Sequence, residues 1–409
     1  MKPLNILISA YACRPNMGSE PGVGWNTVQE LIKYHRVWVF TRQDNRPEIE
    51  AYTIEHPHSN LNFVYCEPPK WLKLWWSSTQ LPHYYLWQLD AYFTARKLHQ
   101  EIGFDLAHHI TYVRYSTPSF LSLLPVPFIW GPVGGGEYAP QAFWSDFSFR
   151  GKIYEILRSS AHKIGAVDPF ARITAQRSKL VRVTTEDTAE QVKNMGANNV
   201  EVFSESGLSQ AEITTLGKYE IATDSPVRFI SMARLLHWKG LHLSIRAFAE
   251  ANLDADVEYW ILGEGPEKEN LEALTRQLKV DRQVKFWGRL PRDKTLEKLQ
   301  SCQILIHPSL HDSGGWVCLE AMAAGRPIIC LDTGGPSVQV TAETGYKIDP
   351  LNPEQTVKSL ADAIASLANN AEVRQKMGLA GRKRVRDNFS WEVKGEQLAH
   401  LYQEIARQH

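Results

Sequence analysis

Two carboxylates stand on either side of a Gly-Gly turn in the segment HPSLHDSGGWVCLEAMAAGRPII. Asp312 precedes the two glycines, and Glu320 follows them in an Ala-rich stretch that predicts a helix closed by Gly325. The apolar run QILIHPS before the turn predicts a strand. The two acids therefore lie where a strand gives way to a helix, and each can accept hydrogen bonds from ligand hydroxyls.

The predicted helix begins at the second glycine of this turn. The backbone N–H groups of Gly315, Trp316 and Val317 come before the first intrahelical hydrogen bond, so they can bind a phosphate. Together with Glu320 and Asp312 they predict a site that holds one ligand at several points. The alternative is a capping Asp312 and a surface Glu320, with no ligand between them.

A second group of candidates lies in FISMARLLHWKGLHLSIRAF. Arg234 ends a predicted strand, and Lys239 stands just before a helix that begins near Gly240. Two cations beside a helix N-terminus predict an anion site, with a pair of solvated surface charges as the alternative. Further along, VEYWILGEG places Gly263 and Glu264 after another strand, which is a weak signal by itself.

The first half of the chain offers two more candidate turns. In YACRPNMGSEPGVGWN, Gly18 and Gly22 precede a helix whose N–H groups could face an anion, although the spacing is not that of a dinucleotide fingerprint. A tight turn without a ligand is the alternative. In FDLAHHITY, His108 and His109 point to opposite sides of a strand, so at most one faces a given cleft. One core histidine and one surface histidine are the competing interpretation.

Short apolar runs alternate with helix-period stretches from LNILISAY through PIICLDTGG. This alternation predicts an α/β protein with two doubly wound, Rossmann-like domains built on parallel sheets. We expect a first domain over 1–205, a linker over 206–226, a second domain over 227–388 and a C-terminal helix over 389–409. Ligands of such sheets bind beyond the carboxyl ends of the strands, which is where the candidate residues lie.

The composition narrows the function classes. The 45 basic and 45 acidic residues cancel, which argues against nucleic acid as a partner. The five cysteines form no CxxC pair, which favours buried, reduced thiols and a cytoplasmic protein. The N-terminal apolar run predicts a strand rather than a signal peptide, and no run is long enough to span a membrane. No P-loop or HExxH motif occurs.

The order of ARLLHWKG, LGEGP, HPSLHDSGGWVCLEAMAAGRPII and LDTGGP resembles the retaining glycosyltransferases of family 4. The resemblance covers almost the whole chain, and GSEPGVGW and WGPVGGG are similar to bacterial polysaccharide and lipid-linked sugar transferases. It implies the GT-B fold, with two domains facing a cleft and a C-terminal helix crossing back to the first. It also implies transfer of a hexose-type sugar from a nucleotide-diphosphate sugar to a glycan, lipid-linked or small-molecule acceptor, with no metal.

The resemblance assigns roles to the candidates. Arg234 and Lys239 would hold the diphosphate, and Glu320 would bind the ribose hydroxyls. Asp312 would contact a hydroxyl of the transferred sugar. One histidine of the pair in FDLAHHITY would match a family histidine near the reacting sugar.

The chain departs from the family pattern at Asp312, where Glu is usual, and at Gly314, where an aromatic residue is usual. These departures keep two alternatives open. One is a non-catalytic relative that binds a nucleotide sugar or a glycan. The other is a GT-B enzyme that cleaves or isomerises nucleotide sugars, which would show turnover without an acceptor.

Residues 70–93, KWLKLWWSSTQLPHYYLWQLDAYF, are unusually aromatic. Helical spacing places Trp71, Leu74 and Trp75 together beside two lysines, which predicts a helix lying in a membrane interface. Peripheral contact with the inner face of the membrane would suit a lipid-linked acceptor. A helix packed on the first domain or lining the acceptor cleft is the alternative.

Overall fold

The computed structural model describes residues 2–67, 80–221 and 226–408. Its contacts separate two compact units. One comprises Met1–Gly136, Ser160–Glu205 and Trp391–His409, and the other Glu137–Ser159 and Ser206–Ser390. The predicted membrane-interface residues Trp71, Leu74 and Trp75 lie outside the described residues, as does part of the predicted linker.

Strands and helices alternate along the described chain. The strands are β1 Asn5–Ala10, β2 Arg36–Arg42, β3 Leu61–Cys66, β4 Leu106–Thr111, β5 Phe128–Val133, β6 Leu180–Val183, β7 Val200–Val202, β8 Arg228–Met232, β9 Glu258–Leu262, β10 Val284–Gly288, β11 Ile304–His307, β12 Ile328–Leu331 and β13 Gly345–Ile348. The helices are α1 Ser19–Leu31, α2 Arg46–Glu55, α3 Gln80–Ile102, α4 Phe149–Ala166, α5 Pro169–Arg177, α6 Glu186–Asn194, α7 Gln210–Gly217, α8 Leu241–Glu250, α9 Lys268–Gln277, α10 Arg292–Gln300, α11 Trp316–Ala323, α12 Gly334–Gln339, α13 Pro353–Asn369, α14 Ala371–Asn388 and α15 Trp391–Arg407.

The first unit is built on a parallel sheet in the order β3-β2-β1-β4-β5-β6-β7 across its described strands. The order reverses between β1 and β4, as in doubly wound folds. In the register of these central strands, Ile8 of β1 pairs with Val39 on one side and His108 on the other. Every residue of β4 is buried, as expected for a strand covered by helices on both faces.

The second unit repeats this plan with the described order β10-β9-β8-β11-β12-β13, again parallel. Strands β11 and β12 are buried along their whole length. Asn352 and Asn370 accept backbone N–H groups at the starts of α13 and α14, which are typical N-caps. The prediction of two doubly wound α/β domains is confirmed.

The division of the chain differs from the predicted boundaries. Phe143 and Phe147, predicted in the first domain, are buried in one core with Phe229 and Leu241, because their rings supply apolar area that the second unit covers. The predicted linker contains α7, whose start is fixed by a reciprocal capping box between Ser209 and Glu212.

The C-terminal helix α15 packs with the first unit. Leu398 and Tyr402 are buried with Val28 and Leu31 of α1. The five cysteines are free and buried, so the prediction of buried thiols is confirmed. Among the described helices, none has an apolar stretch of the length a membrane crossing requires.

Candidate functional site

A cavity of about 560 Å³ opens beyond the carboxyl ends of β8, β9 and β10 in the second unit. It brings together two of the predicted groups, the cation after β8 and the Gly-x-Gly after β9. Its polar and glycine lining comprises Arg234, Gly263, Glu264, Gly265, Arg289 and Thr295.

Gly263 shapes this cavity through a close backbone approach. Its φ is 139°, and a Cβ placed there would lie 1.8 Å from the carbonyl oxygen of Ala233. The two loops are also joined by a hydrogen bond from the Leu235 N–H to the Glu264 carbonyl at 2.9 Å. The glycine is therefore required by the fold of the cavity wall, whether or not a ligand also approaches it.

Two guanidinium groups give the cavity positive charge. Arg234 and Arg289 are both exposed, and neither has an ion-pair partner among the described residues. Glu264, the acid in the lining, lies 3.2 Å from Lys268 Nζ. Two unpaired guanidinium groups beside a glycine-rich wall suit a phosphate or diphosphate, which accepts paired hydrogen bonds from arginine.

Lys239 and Asp312 meet in a second cluster of the same unit. Lys239 Nζ donates to Asp312 Oδ2 at 2.5 Å, and His307 Nε2 lies 3.2 Å from the same oxygen. Asp312 Oδ1 accepts from the N–H groups of Gly314 and Gly315, both at 3.3 Å. Burial alone would raise the pKa of Asp312, but the His307 hydrogen bond and the Lys239 charge hold it well below its usual range.

These contacts give Asp312 protein partners that the sequence did not predict. A carboxylate offers about four acceptor positions, and groups of the described chain already occupy them. In this arrangement Asp312 orients Lys239 and caps the turn, and its predicted contact with a sugar hydroxyl stays a prediction. Among the described residues, Asp312 is the hydrogen-bond partner of Lys239 Nζ, so the other two donors of that group are available to a ligand.

The start of α11 is only partly available to an anion. The Gly315 N–H is directed to Asp312, whereas Trp316 and Val317 occupy the first two helical positions, which have no intrahelical acceptor. The turn is anchored from Gly314, whose carbonyl accepts from Gln339 Nε2 at 2.5 Å.

Glu320 lies in a buried position on α11. Its Oε1 accepts from Arg292 Nη1 at 2.6 Å, and Arg292 Nη2 donates to Glu212 at 2.8 Å. Burial raises the pKa of Glu320, and the Arg292 charge opposes that rise. Arg292 is the first residue of α10, the helix that contributes Thr295 to the cavity. This contact ties Glu320 to the helix that walls the cavity.

The two histidines belong to the first unit and are both buried. His108 accepts from the Tyr402 hydroxyl at 2.5 Å and donates to the Gly131 carbonyl at 2.6 Å. His109 donates to the Thr111 carbonyl at 3.0 Å. Burial lowers the pKa of each to about 3, so both are neutral at pH 7. The expectation of one surface histidine is wrong, because helices cover both faces of β4.

Gly18 and Gly22 also lie in the first unit, at the start of α1. A Cβ on Gly22 would lie 2.3 Å from the Met17 carbonyl oxygen, which explains that glycine by packing alone. Gly18 has no such neighbour within 4 Å among the described residues.

Sequence reasoning missed three polar side chains of the second unit, those of His307, Arg289 and Arg292. Arg289 directly follows β10, so the rule that ligands bind beyond strand ends would have selected it. His307 is the last residue of β11, where the same rule applies. Arg292 gave no signal, because its pairing with Glu320 depends on how α10 packs.

The match to a known protein family falls within the second unit. Residues 216–384, which include all the second-unit candidates described above, match the family model described as Glycosyl transferases group 1. The chain is 30% identical over 245 residues to a D-inositol 3-phosphate glycosyltransferase of Corynebacterium diphtheriae, covering 56% of each chain. The chain spans about half the length of the curated relatives it matches.

Solved structures match over nearly the whole chain. A sucrose-phosphate synthase from Thermosynechococcus elongatus aligns with a TM-score of 0.63 and 16% identity, covering 99% of this chain and 100% of that one. Anabaena HepE, solved with UDP and glucose, aligns with a TM-score of 0.59 and 15% identity, covering 98% of this chain and 100% of that one. The two Rossmann-like units thus have the α/β architecture of the GT-B glycosyltransferases. The match to the Glycosyl transferases group 1 model lies within the second unit, at residues 216–384.

Proposed function

We propose that the protein is a retaining glycosyltransferase. It transfers a hexose-type sugar from a nucleotide-diphosphate sugar to a glycan, lipid-linked or small-molecule acceptor, without a metal ion. The observation that carries this proposal is the cavity of the second unit, where Arg234 and Arg289 have no ion-pair partner among the described residues. Such a cavity attracts a ligand that brings at least two negative charges.

The cations of this domain supply the chemistry. Cleavage of the sugar–phosphate bond leaves a nucleoside diphosphate on which negative charge grows. Arg234, Arg289 and the free donors of Lys239 stabilise that charge, and preorganised groups of this kind are worth about 10²–10³ in rate each. Because these groups are already positive, the leaving group needs no metal. We assign no enzymatic nucleophile, since attack from the leaving-group face also retains the configuration.

Glu320 is the group proposed to hold the ribose. Its carboxylate is buried and fixed by Arg292, so it would be a preorganised hydrogen-bond partner for two ribose hydroxyls. The acceptor class rests on the relatives, one of which is named D-inositol 3-phosphate glycosyltransferase. Another relative is named for a phosphatidylinositol monomannoside, which contains both a sugar and a lipid.

A thermal-shift panel with UDP, GDP, ADP and their common sugar conjugates tests the donor site. A ligand at 100 times its dissociation constant adds about 2.7 kcal/mol to the free energy of unfolding. We expect one base to give a clear shift that Glu320→Ala abolishes and that Glu269→Ala, an exposed acid of the same unit, retains. A flat panel for the wild-type protein would remove the donor-site assignment.

A turnover assay with the same sugar conjugates, run beside the thermal-shift panel, separates the alternatives left by Asp312 and Gly314. A shift without sugar release, with or without acceptors, would favour the non-catalytic relative. Release of nucleoside diphosphate at full rate without an acceptor would favour a cleaving or isomerising enzyme. Activity that survives EDTA treatment would support the metal-independent mechanism.

We further propose peripheral contact with the inner face of the membrane near residues 70–93. Within the described part of this segment, Leu89 and Phe93 of α3 are 38% and 63% exposed. Arg96 and Lys97 continue the same outward face of the helix. An apolar stripe that runs into cations suits an anionic lipid surface.

Sedimentation with vesicles tests this contact. We expect binding to vesicles containing phosphatidylglycerol and weaker binding to pure phosphatidylcholine. Phe93→Glu should weaken it, whereas Ile54→Glu on α2, which alters another exposed apolar side chain of the first unit, should not. Equal vesicle binding by both variants would show that α3 does not contact the membrane.

A further inference from the structure

A buried carboxylate lies among the residues that neighbour Lys239 and Asp312. Glu155 of α4 belongs to the second unit, and its side chain is 1% exposed. Its Oε1 accepts from His237 Nε2 at 3.0 Å and lies 3.5 Å from His311 Nε2. Burying a carboxylate costs free energy unless it is paired, and the two histidines provide the pairing here.

Each histidine that faces Glu155 is close in sequence to a residue of the candidate site. His237 opens the short helical turn His237–Lys239, and His311 immediately precedes Asp312. The carboxylate therefore stands between two loops, one after β8 and one after β11. Each of these loops carries one partner of the Lys239–Asp312 pair.

Aromatic stacking joins the same two loops. The Trp238 ring lies between Tyr154 of α4, at a centroid distance of 4.9 Å, and His311, at 5.2 Å. The planes are nearly parallel, at 8° and 13°. The Leu310 N–H also donates to the Trp238 carbonyl at 2.8 Å. Glu155 and Tyr154 thus contact both loops from one turn of α4.

We propose that Glu155 is a positioning residue. It fixes His237 and His311, and it thereby holds the two loops that carry Lys239 and Asp312. In these positions Lys239 binds the diphosphate of the donor. The inference rests on the proposed function, because it assigns to Lys239 the binding of a nucleoside diphosphate. The role goes beyond holding the fold together, since its effect falls on one part of the ligand.

The test compares Glu155→Gln with Asp146→Asn. Asp146 is another carboxylate of the segment Glu137–Ser159, and it pairs with His242 at 3.6 Å and Arg246 at 3.3 Å, both on α8, which begins after the turn His237–Lys239. Dissociation constants are measured for UDP, GDP and ADP and for uridine, guanosine and adenosine. The nucleosides lack the diphosphate and so report on the rest of the site.

We expect Glu155→Gln to weaken binding of the preferred nucleoside diphosphate about tenfold, within the usual range of coupling between sites. Binding of the matching nucleoside, and both affinities in Asp146→Asn, should stay unchanged. Equal loss for diphosphate and nucleoside, or no loss for either, would overturn the positioning role while leaving the proposed function in place. A wild-type protein that binds none of the nucleotides would instead overturn the proposed function, and this role with it. If Glu155→Gln does not fold, Glu155→Asp, which shortens the reach by one methylene, must show the same selective loss.

Discussion

Glu320 and Arg292 form an ion pair whose partners differ in exposure, with side chains 7% and 57% accessible. Burial raises the pKa of Glu320, so the ionised carboxylate costs the fold free energy above that pKa and ceases to do so as pH falls and it protonates. Arg292→Met removes the opposing charge and enlarges this cost. Since Arg292 is half exposed, we expect a loss of about 1–2 kcal/mol at pH 7.5, or about 4 °C in Tm.

The pH dependence of this loss is the diagnostic feature. The Tm deficit of Arg292→Met relative to wild type should shrink as pH is lowered from 7.5 to 5, because Glu320 then protonates more readily. The double variant with Glu320→Gln should recover most of the deficit. A deficit of the same size at every pH would mean that the lost contact is the one with Glu212 instead.

At the scale of elements, the loops after β8 and β9 fit together only because Gly263 has no side chain. Gly263→Ala would place a Cβ 1.8 Å from the Ala233 carbonyl at a φ of 139°. We expect a loss of about 2–4 kcal/mol and a weaker nucleotide shift, because the strained backbone must move the cavity wall. Calorimetry and the thermal-shift panel measure the two effects.

Gly217→Ala is the matched control for this prediction. Gly217 ends α7, and no neighbouring atom lies within 4 Å of its ideal Cβ among the described residues. This change should alter stability by less than about 1 kcal/mol, in the stabilising direction. Equal losses in both variants would show that the close approach at Gly263 carries no cost.

The elements themselves could be predicted from the sequence, because each buried parallel strand is a short apolar run followed by a helical period. The boundaries between units could not, since Phe143 and Phe147 give no sign of which core buries them. Helix α7 was missed although Ser209 and Glu212 have the spacing of a capping box.

The same limit applies within the site. Arg234 was predicted to lie beyond a strand end, and it does. The role given to Asp312 stays a prediction, and its contacts with His307 and with the two glycine N–H groups could not be predicted, because no sequence pattern reveals those distances. The residue types that follow the strand ends predict where a site lies, whereas packing decides which groups donate hydrogen bonds to each carboxylate oxygen.

At the scale of the whole molecule, the two units should respond differently to a nucleotide. Hydrogen–deuterium exchange with and without the preferred nucleoside diphosphate measures each unit separately. At 100 times the dissociation constant, amides that exchange through opening of the binding unit should slow about 100-fold. We expect this slowing in residues 233–240, 263–265 and 307–320.

Hydrogen–deuterium exchange also tests the predicted ligand contact of the turn that contains Gly18 and Gly22. Packing explains Gly22 without a ligand, but it does not explain Gly18. Slowed exchange there on adding the nucleotide sugar would support the predicted contact. Unchanged exchange would restrict the ligand to the second unit and leave both glycines as parts of the fold.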